Sequence, residues 1–418
     1  MKTTVILSIL LFLMTCIASA KTVMLSPDVP LQKQMTQPNV TYMVSNRHDL
    51  GGKTLVLPAN CKLSVTNDGC IFNGKVMGAL KNKQVNLRWF GASSSDAKYN
   101  AEAIENAARV CTQVVIPNET YVLSRSVRIQ PQNLTLRGEG ISSLLKVLSP
   151  MRILNILPQS EGLIVRSVSF QGVGSKTEAS YLIYVGHGSA QVEISSCTFD
   201  GGTGGILVDY ESHDIDVGRC IFRNMVYIPG AGLAAGGNYA AGGAGGYGVV
   251  FQQRHVDKNN PLGRIGVTNG TVHDCLFERT VIRHAIYIQT STHIKVFNNT
   301  IYGTTEMNDK DILTDLLRRG LTEEQLRRMD VRKHTTFADV ALCFRGCTDV
   351  EVKNNILHSG LGFLRGTTDK DGRNGTRFVV KGNKIESMLP TSTDKDIINL
   401  NFVNNPVLSK NRIMRQQQ

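Results

Sequence analysis

The feature that most constrains the fold of this chain is a short phrase that returns eight times between residues 165 and 415. In each copy an apolar strand ends, polar residues turn the chain, and one variable residue precedes a large apolar anchor. The copies read VRSVSFQG, ISSCTFDG, VGRCIFRN, VHDCLFER, VFNNTIYG, EVKNNILH, VKGNKIES and LSKNRIMR. Their anchors are Phe170, Phe199, Phe222, Phe277, Ile301, Ile356, Ile385 and Ile413. Successive anchors lie 29, 23, 55, 24, 55, 29 and 28 residues apart, and a period in the twenties with short β segments indicates a solenoid.

The pattern within the repeats decides between kinds of solenoid. Apolar and polar residues alternate along short segments, and Gly and Asn turn the corners. Amphipathic helix signals are almost missing from the repeats, so leucine-rich and helical solenoids fit poorly. We therefore predict an all-β fold, a single-stranded right-handed parallel β-helix.

The residue two places before each anchor predicts a stacked column inside the coil. The column reads Val168, Cys197, Cys220, Cys275, Asn299, Asn354, Asn383 and Asn411. Buried Asn side chains can hydrogen-bond along such a stack, and buried Cys behaves as a small hydrophobe. The spacing favours a packed cysteine ladder over disulfides, while Cys61 and Cys70 could still bridge a small hairpin.

The two double-length gaps each contain an insertion. Residues 228–248 form a Gly/Ala-rich stretch, which predicts a flexible loop. Residues 308–336 have helical spacing, with a capped start at Thr322, and predict a helical insertion. Long insertions in a solenoid tend to gather on one face, often the binding face.

The N-terminus indicates export. Residues 1–20 combine a basic start, a short apolar run and an A-x-A exit, as in a secretory signal peptide, and the run is too short for a membrane span. A lipoprotein anchor at Cys16 is the less favoured alternative. We expect a secreted, periplasmic or cell-surface protein without a transmembrane segment. Its formal net charge of +12 then favours an acidic polysaccharide as partner over nucleic acid.

Residues 21–84 form a β-rich segment before the predicted β-helix of residues 85–418. Within residues 85–129, a stretch that reads FGASSSDAKYNAEAIENAA predicts a helix, and VVIPNETYVL predicts strands. This segment resembles the entry segment of the pectate-lyase-like superfamily, although only Asp96 remains of its usual acidic turn. The resemblance implies a β-helix with an N-terminal capping helix. It also implies the activities of that superfamily, namely exported polysaccharide lyases, hydrolases, epimerases and binding proteins.

The motifs of the best-known members do not carry over. The VGHGS stretch around His187 has neither the preceding acids nor the following basic motif of polygalacturonases, and we interpret it as a turn. Four acids, Asp209, Glu211, Asp214 and Asp216, have oxygens that suit calcium but lack the spacing of a calcium loop. A solvated turn is the favoured interpretation. The sequence specifies no metal site, no cofactor and no oligomeric state, and calcium is the one ion left open.

The candidate catalytic residues flank an apolar strand. Strand alternation places Ile286 and Ile288 inside and Tyr287 outside, with Arg283 and His284 at the entrance. A lyase that acts on uronic acids needs a cation to neutralise the carboxylate and a base to remove the neighbouring proton. We expect Arg283 or Arg345 to supply the cation and His284 or Tyr287 the base or acid.

The candidate substrate-binding residues are Arg254, His255, Arg365 and Asp209. Arg345 and Arg365 each end a strand, and we expect them to stack in successive coils as a basic strip for an acidic sugar chain. A hydrolase would need two carboxylates, and the pairs to test are Asp209 with Glu211 and Glu278 with Asp339.

The favoured function is cleavage of an acidic polysaccharide by β-elimination. The alternatives are glycoside hydrolysis and a non-catalytic carbohydrate-binding or adhesion β-helix.

Overall fold

The computed structural model describes residues 21–66, 68–174, 180–225, 227–228, 244–254, 263–278, 284–302, 340–360, 362–387 and 393–415. The chain winds through three long parallel sheets in a fixed order, and each coil adds one strand to each sheet. Crossover connections between parallel strands are right-handed almost without exception. The predicted right-handed parallel β-helix is therefore confirmed.

We number the sheets in the order in which the chain passes through them within a coil that begins at the anchor phrase, and we count only strands of the described residues. Sheet I has ten strands, Thr120–Leu123, Leu144–Val147, Ser169–Gly172, Thr198–Gly201, Ile221–Arg223, Leu276–Glu278, Thr300–Tyr302, Ile356–Gly360, Lys384–Ser387 and Arg412–Arg415. Sheet II has nine, Val127–Ile129, Leu154–Ile156, Tyr181–Val185, Gly204–Val208, Tyr247–Phe251, His284–Gln289, Val340–Arg345, Gly362–Thr367 and Ile398–Asn399.

Sheet III has twelve strands. They are Val85–Asn86, Gln113–Ile116, Gln132–Gly138, Glu161–Arg166, Ala190–Ser195, His213–Gly218, Thr268–His273, Thr292–Phe297, Thr348–Lys353, Gly375–Lys381, Val403–Asn404 and Val407–Ser409. The last two both pair with Gly375–Lys381.

The strands of the N-terminal segment also pair in parallel. Thr22–Met24, Thr41–Val44 and Lys62–Val65 form one small sheet, and Arg47–Asp49 with Cys70–Phe72 and Thr54–Val56 with Lys75–Met77 form two more. A short helix, Leu31–Gln34, and a 3₁₀ helix, Leu87–Phe90, accompany them.

A helix occupies Asn100–Val110, where the entry segment predicted one. Asn106 on this helix bonds both the backbone N–H of Val76 and the backbone carbonyl of Gly74, and Asn100 bonds the carbonyl of Val122. The helix thereby joins the N-terminal segment to the first coils. That it closes the edge of the β-helix stays a prediction. A short C-terminal helix, Asp394–Ile397, precedes the last sheet II strand.

The anchors stack in register on the inner face of sheet I. The aligned positions are Phe170, Phe199, Phe222, Phe277, Ile301, Leu357, Ile385 and Ile413. Neighbouring Phe rings lie 5.2, 4.8 and 4.8 Å apart and nearly parallel. The prediction of Ile356 as an anchor is wrong, because Ile356 pairs with Thr300 and its neighbour Leu357 points inward.

The asparagine ladder is confirmed with the same one-residue shift. Its members are Asn299, Asn355, Asn383 and Asn411, and each accepts a hydrogen bond from the backbone N–H of the residue one coil before it. The predicted Asn354 instead has a φ of 55° and is exposed. It turns the corner in the left-handed conformation that Asn tolerates, which leaves Asn355 to point inward.

The cysteines behave as the repeat predicted. Eight lie in the described residues, all buried, and none of those eight forms a disulfide, including Cys61 and Cys70. In the ladder, the thiols of Cys197, Cys220 and Cys275 donate to backbone carbonyls of the preceding coil. Burial raises the pKa of Cys220 and Cys275 well above its ordinary value, so these thiols stay protonated.

Most of the longer segments outside the described residues follow a sheet I strand in the chain. The segments 175–179, 229–243, 279–283, 303–339 and 388–392 come between a sheet I strand and the next sheet II strand, whereas 255–262 comes between a sheet II strand and a sheet III strand. The predicted Gly/Ala loop is shorter than 228–248, because Ala244–Gly245 pairs with Tyr227–Ile228 and Tyr247 begins a sheet II strand. The predicted signal peptide 1–20, with Cys16, and the predicted helical insertion 308–336 lie outside the described residues.

Candidate functional site

The outer face of sheet II carries the candidate site. Strand register places its outward side chains in three rows that run along the solenoid, with about 4.8 Å between neighbouring coils. The middle row reads Arg128, Asn155, Tyr184, Leu207, Val250, Tyr287, Cys343, Arg365 and Asn399. The sequence placed Tyr287 outside and Ile286 and Ile288 inside, and both Ile side chains are fully buried.

The Tyr287 hydroxyl is the centre of a polar cluster. Its oxygen accepts a hydrogen bond from Gln289 Nε2 at 2.7 Å and another from Arg345 Nη1 at 3.3 Å. The Gln289 side chain is held in turn by the backbone N–H of Gln253, which donates to Gln289 Oε1 at 3.3 Å. Two donors on one phenol oxygen stabilise its ionised form and leave its own proton free to be donated elsewhere.

The groups around Tyr287 shift its pKa in opposite directions. Burial raises the pKa of Tyr287, and Cys343 in the next coil adds to this rise. Arg345 and the hydrogen bond from Gln289 lower the pKa, because both favour the phenolate. The ionisable hydroxyl of Tyr287 and the cationic side chain of Arg345 therefore lie within hydrogen-bond distance of each other on one face.

His284 lies on the same strand and is buried, with 5% of its surface exposed. Its ring is 5.4 Å from the Tyr287 ring and 5.9 Å from the Tyr247 ring, tilted in both cases. The structure thus brings together three of the four predicted catalytic residues, His284, Tyr287 and Arg345. The fourth, Arg283, lies outside the described residues, as does the predicted binding residue His255.

The predicted stack of Arg345 on Arg365 is wrong. Arg345 pairs with Gln289 in the coil before it and with Thr367 in the coil after it, whereas Arg365 pairs with Cys343. The strand Val340–Arg345 ends at its arginine, but Gly362–Thr367 continues two residues beyond Arg365, so the two side chains lie in different rows. Both still lie on the outer face of sheet II.

A second polar cluster lies on the same face. The Tyr184 hydroxyl donates to Asp209 Oδ2 at 2.7 Å, and the Arg152 guanidinium lies 3.7 Å from the centre of the Tyr184 ring. Burial and the hydrogen bond to Asp209 raise the pKa of Tyr184, so this phenol stays protonated. Asp209, a predicted substrate-binding residue, is thus bound to a tyrosine of this face.

Arg254, the remaining predicted binding residue, lies beyond the end of its sheet II strand. It forms an ion pair with Glu211 and lies 5.3 Å from the Tyr210 ring, on which His187 also stacks at 5.1 Å. Arg254 is therefore part of a cluster just beyond the C-terminal ends of the sheet II strands, and the half-buried ring of His187 belongs to the same cluster.

The acidic stretch does not converge on one point. Asp209 bonds Tyr184, Glu211 pairs with Arg254, Asp214 contacts His213 and Asn269, and Asp216 contacts His273. Among the residues that the structure describes, no group of three or more His, Cys, Asp or Glu side chains is arranged to hold a metal ion.

The sequence did not predict a cluster of aromatic and aliphatic side chains on this face, which we call the tyrosine floor. Tyr181, Leu207, Tyr247 and Val250 form a separate buried cluster on the outer face, and Tyr184 and Tyr287 pack against it. The Tyr247 and Tyr287 rings stack at 5.5 Å. Register places Tyr181, Gly204, Tyr247 and His284 in one row, so the two tyrosines lie two coils apart with a glycine between them.

In the described part of the chain, no helix has the length and hydropathy that a membrane crossing requires.

Comparison with known proteins yields only structural neighbours. No protein-family model matches the sequence, and no curated protein matches it. The surface protein and adhesin PfbA of Streptococcus pneumoniae aligns with 14% identity and a TM-score of 0.49, over 80% of this chain and 86% of that one. The A-module of the mannuronan C-5 epimerase AlgE4 of Azotobacter vinelandii aligns with 11% identity and a TM-score of 0.35, over 80% of this chain and 97% of that one.

A third neighbour, a 1,3-alpha-1,4-beta-D-galactose-4-sulfate-3,6-anhydro-D-galactose-2-sulfate 4 galactohydrolase, aligns with 9% identity and a TM-score of 0.29, over 82% of this chain and 92% of that one. At these values the neighbours assign neither a family nor an activity. By its own strand pairing, the chain is a right-handed parallel β-helix protein.

Proposed function

We propose that this protein is an exported lyase that cleaves an acidic polysaccharide by β-elimination on the outer face of sheet II. The observation that carries the proposal is the contact between Tyr287 and Arg345, a proton-exchanging phenol beside a cation. The predicted signal peptide 1–20 supports export, and the helix Asn100–Val110 is proposed to close the N-terminal end of the coil.

The proposed β-elimination needs a cation and a group that can take and return a proton. Arg345 neutralises the carboxylate of a uronic acid, which makes the proton on the adjacent carbon easier to remove. The Tyr287 phenolate takes this proton, the released electron pair forms a carbon–carbon double bond, and the bond to the glycosidic oxygen breaks. Protonated Tyr287 then returns the proton to the departing oxygen. His284 packs against Tyr287 and positions its ring.

Glycoside hydrolysis is less well supported. It needs two carboxylates at about 5–10 Å from each other. Asp209 is bound to Tyr184 and Glu211 to Arg254, while Glu278 pairs in register with Arg223 on sheet I, and Asp339 lies outside the described residues. None of the described pairs faces Tyr287. A non-catalytic carbohydrate-binding protein remains the second candidate, since the half-buried Tyr184 and Tyr287 would offer aromatic rings to a sugar without any reaction.

The test incubates the purified protein with a panel of uronic-acid polymers and follows the ultraviolet absorbance of the new double bond. We expect product with the wild type, and a loss of roughly a hundredfold or more in rate with Tyr287→Phe and Arg345→Gln, in the range of lost acid–base catalysis. Tyr302→Phe is the control, because Tyr302 is an exposed tyrosine on sheet I that stacks on His358.

Each other outcome points elsewhere. New reducing ends without the double bond indicate hydrolysis. Binding of a polymer without any product indicates the non-catalytic candidate. Full activity in Tyr287→Phe would rule out the proposed base.

A further inference from the structure

The second polar cluster on the outer face of sheet II is built differently from an ordinary surface ion pair. Arg152 is half-buried, its guanidinium carbon lies over the Tyr184 ring at 3.7 Å from the ring centre, and its Nη1 donates to Asn155 Oδ1 at 3.4 Å. Among the described residues, no carboxylate lies within ion-pair distance of Arg152. The nearest acid of the cluster, Asp209, is occupied by the Tyr184 hydroxyl and by the backbone N–H of Tyr210.

A half-buried cation that pairs with no carboxylate of the described residues has the chemistry of an anion-binding group. Stacking on a tyrosine fixes the plane of the guanidinium and leaves its remaining N–H groups for a planar, bidentate acceptor. The carboxylate of a sugar acid has this shape. The opposite charges of the cluster are also separated, because the Tyr184 ring contacts Arg152 while its hydroxyl bonds Asp209.

Strand register gives the distance between this cluster and Tyr287 along the solenoid. Tyr184, Leu207, Val250 and Tyr287 are successive members of the middle row, so three coils separate the two tyrosines. Three coils correspond to about 14 Å along the solenoid. One coil rises by about 4.8 Å along the solenoid, which is close to the length of one sugar unit in an extended chain. The residues between the clusters, Leu207, Val250 and Tyr247, are uncharged and buried.

We propose that Arg152 and Tyr184 form a subsite for one acidic sugar about three units away from the bond that is cleaved beside Tyr287. The inference rests on the proposed function of the Tyr287 cluster and adds a requirement for where the substrate carries its acidic groups. Acidic groups matter at the two ends of this stretch, at Arg152 and at Arg345, because no charged residue of the middle row lies between them. A substrate shorter than this span, bound at Arg345, does not reach Arg152.

The test measures binding of defined oligosaccharides by calorimetry in a Tyr287→Phe background, which prevents turnover. The probes are a disaccharide and a hexasaccharide of mannuronate, and the same pair of galacturonate. We expect Arg152→Gln to weaken hexasaccharide binding roughly tenfold or more, the value of a lost charge-assisted hydrogen bond, and to leave disaccharide binding unchanged. Arg152→Lys keeps the charge but not the planar fork, and we expect an intermediate loss.

Arg166→Gln is the matched control, because it removes the same charge from an exposed arginine on sheet III. Equal hexasaccharide affinity in Arg152→Gln and the Tyr287→Phe background overturns the subsite, and so does an equal loss for both chain lengths. Either result leaves the proposed lyase reaction standing. If the background variant binds none of the probes and the wild type releases no unsaturated product, the proposed function fails and the subsite with it.

Discussion

At the scale of single residues, one Asn decides the register of a whole coil. In EVKNNILH both the asparagine and the aliphatic residue occur twice in succession, so the sequence pattern fits two alignments. The structure selects Asn355 and Leu357 for the interior, because Asn354 occupies the left-handed corner. Periodicity located the ladder, but adjacent identical residues concealed which member points inward.

This pair provides a sharp stability test. We expect Asn355→Ala to lower the free energy of unfolding by about 2–4 kcal/mol, because it leaves buried backbone groups of neighbouring coils without partners. Asn354→Gly is the control and should change stability by less than about 0.5 kcal/mol, since glycine suits a positive φ. Urea denaturation of both variants measures this. A larger loss of stability in the Asn354 variant would mean that Asn354, and not Asn355, belongs to the buried ladder.

The pH dependence of the reaction separates the two candidate bases. With Tyr287 as the base, its phenolate is the active form, and burial raises its pKa. We therefore expect kcat/KM to keep rising above neutral pH, and Arg345→Gln to move the rise to higher pH, because the cation that favours the phenolate is lost. A profile that levels off where an ordinary imidazole titrates would instead identify His284.

At the scale of elements, sheet II was harder to predict than sheet I. The anchor phrase recurs at each sheet I strand, but the connection to sheet II varies in length. Eight residues separate Phe199 from Leu207, whereas 28 separate Phe222 from Val250. Linear spacing therefore cannot align the outward tyrosines, and only strand pairing reveals the row that joins Tyr184 to Tyr287.

The packing between sheets I and II depends on glycine at two inward positions of sheet II. A Cβ atom on Gly248 would lie 2.4 Å from the Phe277 ring, and one on Gly205 would lie 2.6 Å from the Phe222 ring. We expect Gly248→Val to cost about 1–3 kcal/mol by overpacking.

Gly263→Ala is the control for this prediction, since a Cβ atom there has no neighbour within 4 Å. Thermal unfolding of both variants provides the comparison. An unchanged midpoint for Gly248→Val would mean that the phenylalanine stack does not contact this strand.

At the scale of the whole molecule, the coil makes distant parts of the sequence into neighbours. Tyr287 and Arg345 are 58 residues apart and share a hydrogen bond, and the strands that hold them pair directly. The repeat predicted this architecture and the outward position of Tyr287. The Arg152 cluster could not be predicted, because its contacts depend on how three coils stack.

The most direct test of this account is a structure of the Tyr287→Phe variant with a bound uronic-acid hexasaccharide. We expect the sugar chain to lie along the outer face of sheet II, parallel to the solenoid axis. One carboxylate should contact Arg345, with the ring carbon beside it facing the aromatic ring at position 287. An oligosaccharide bound on sheet I or sheet III, or across the strands away from Arg345, would contradict the account.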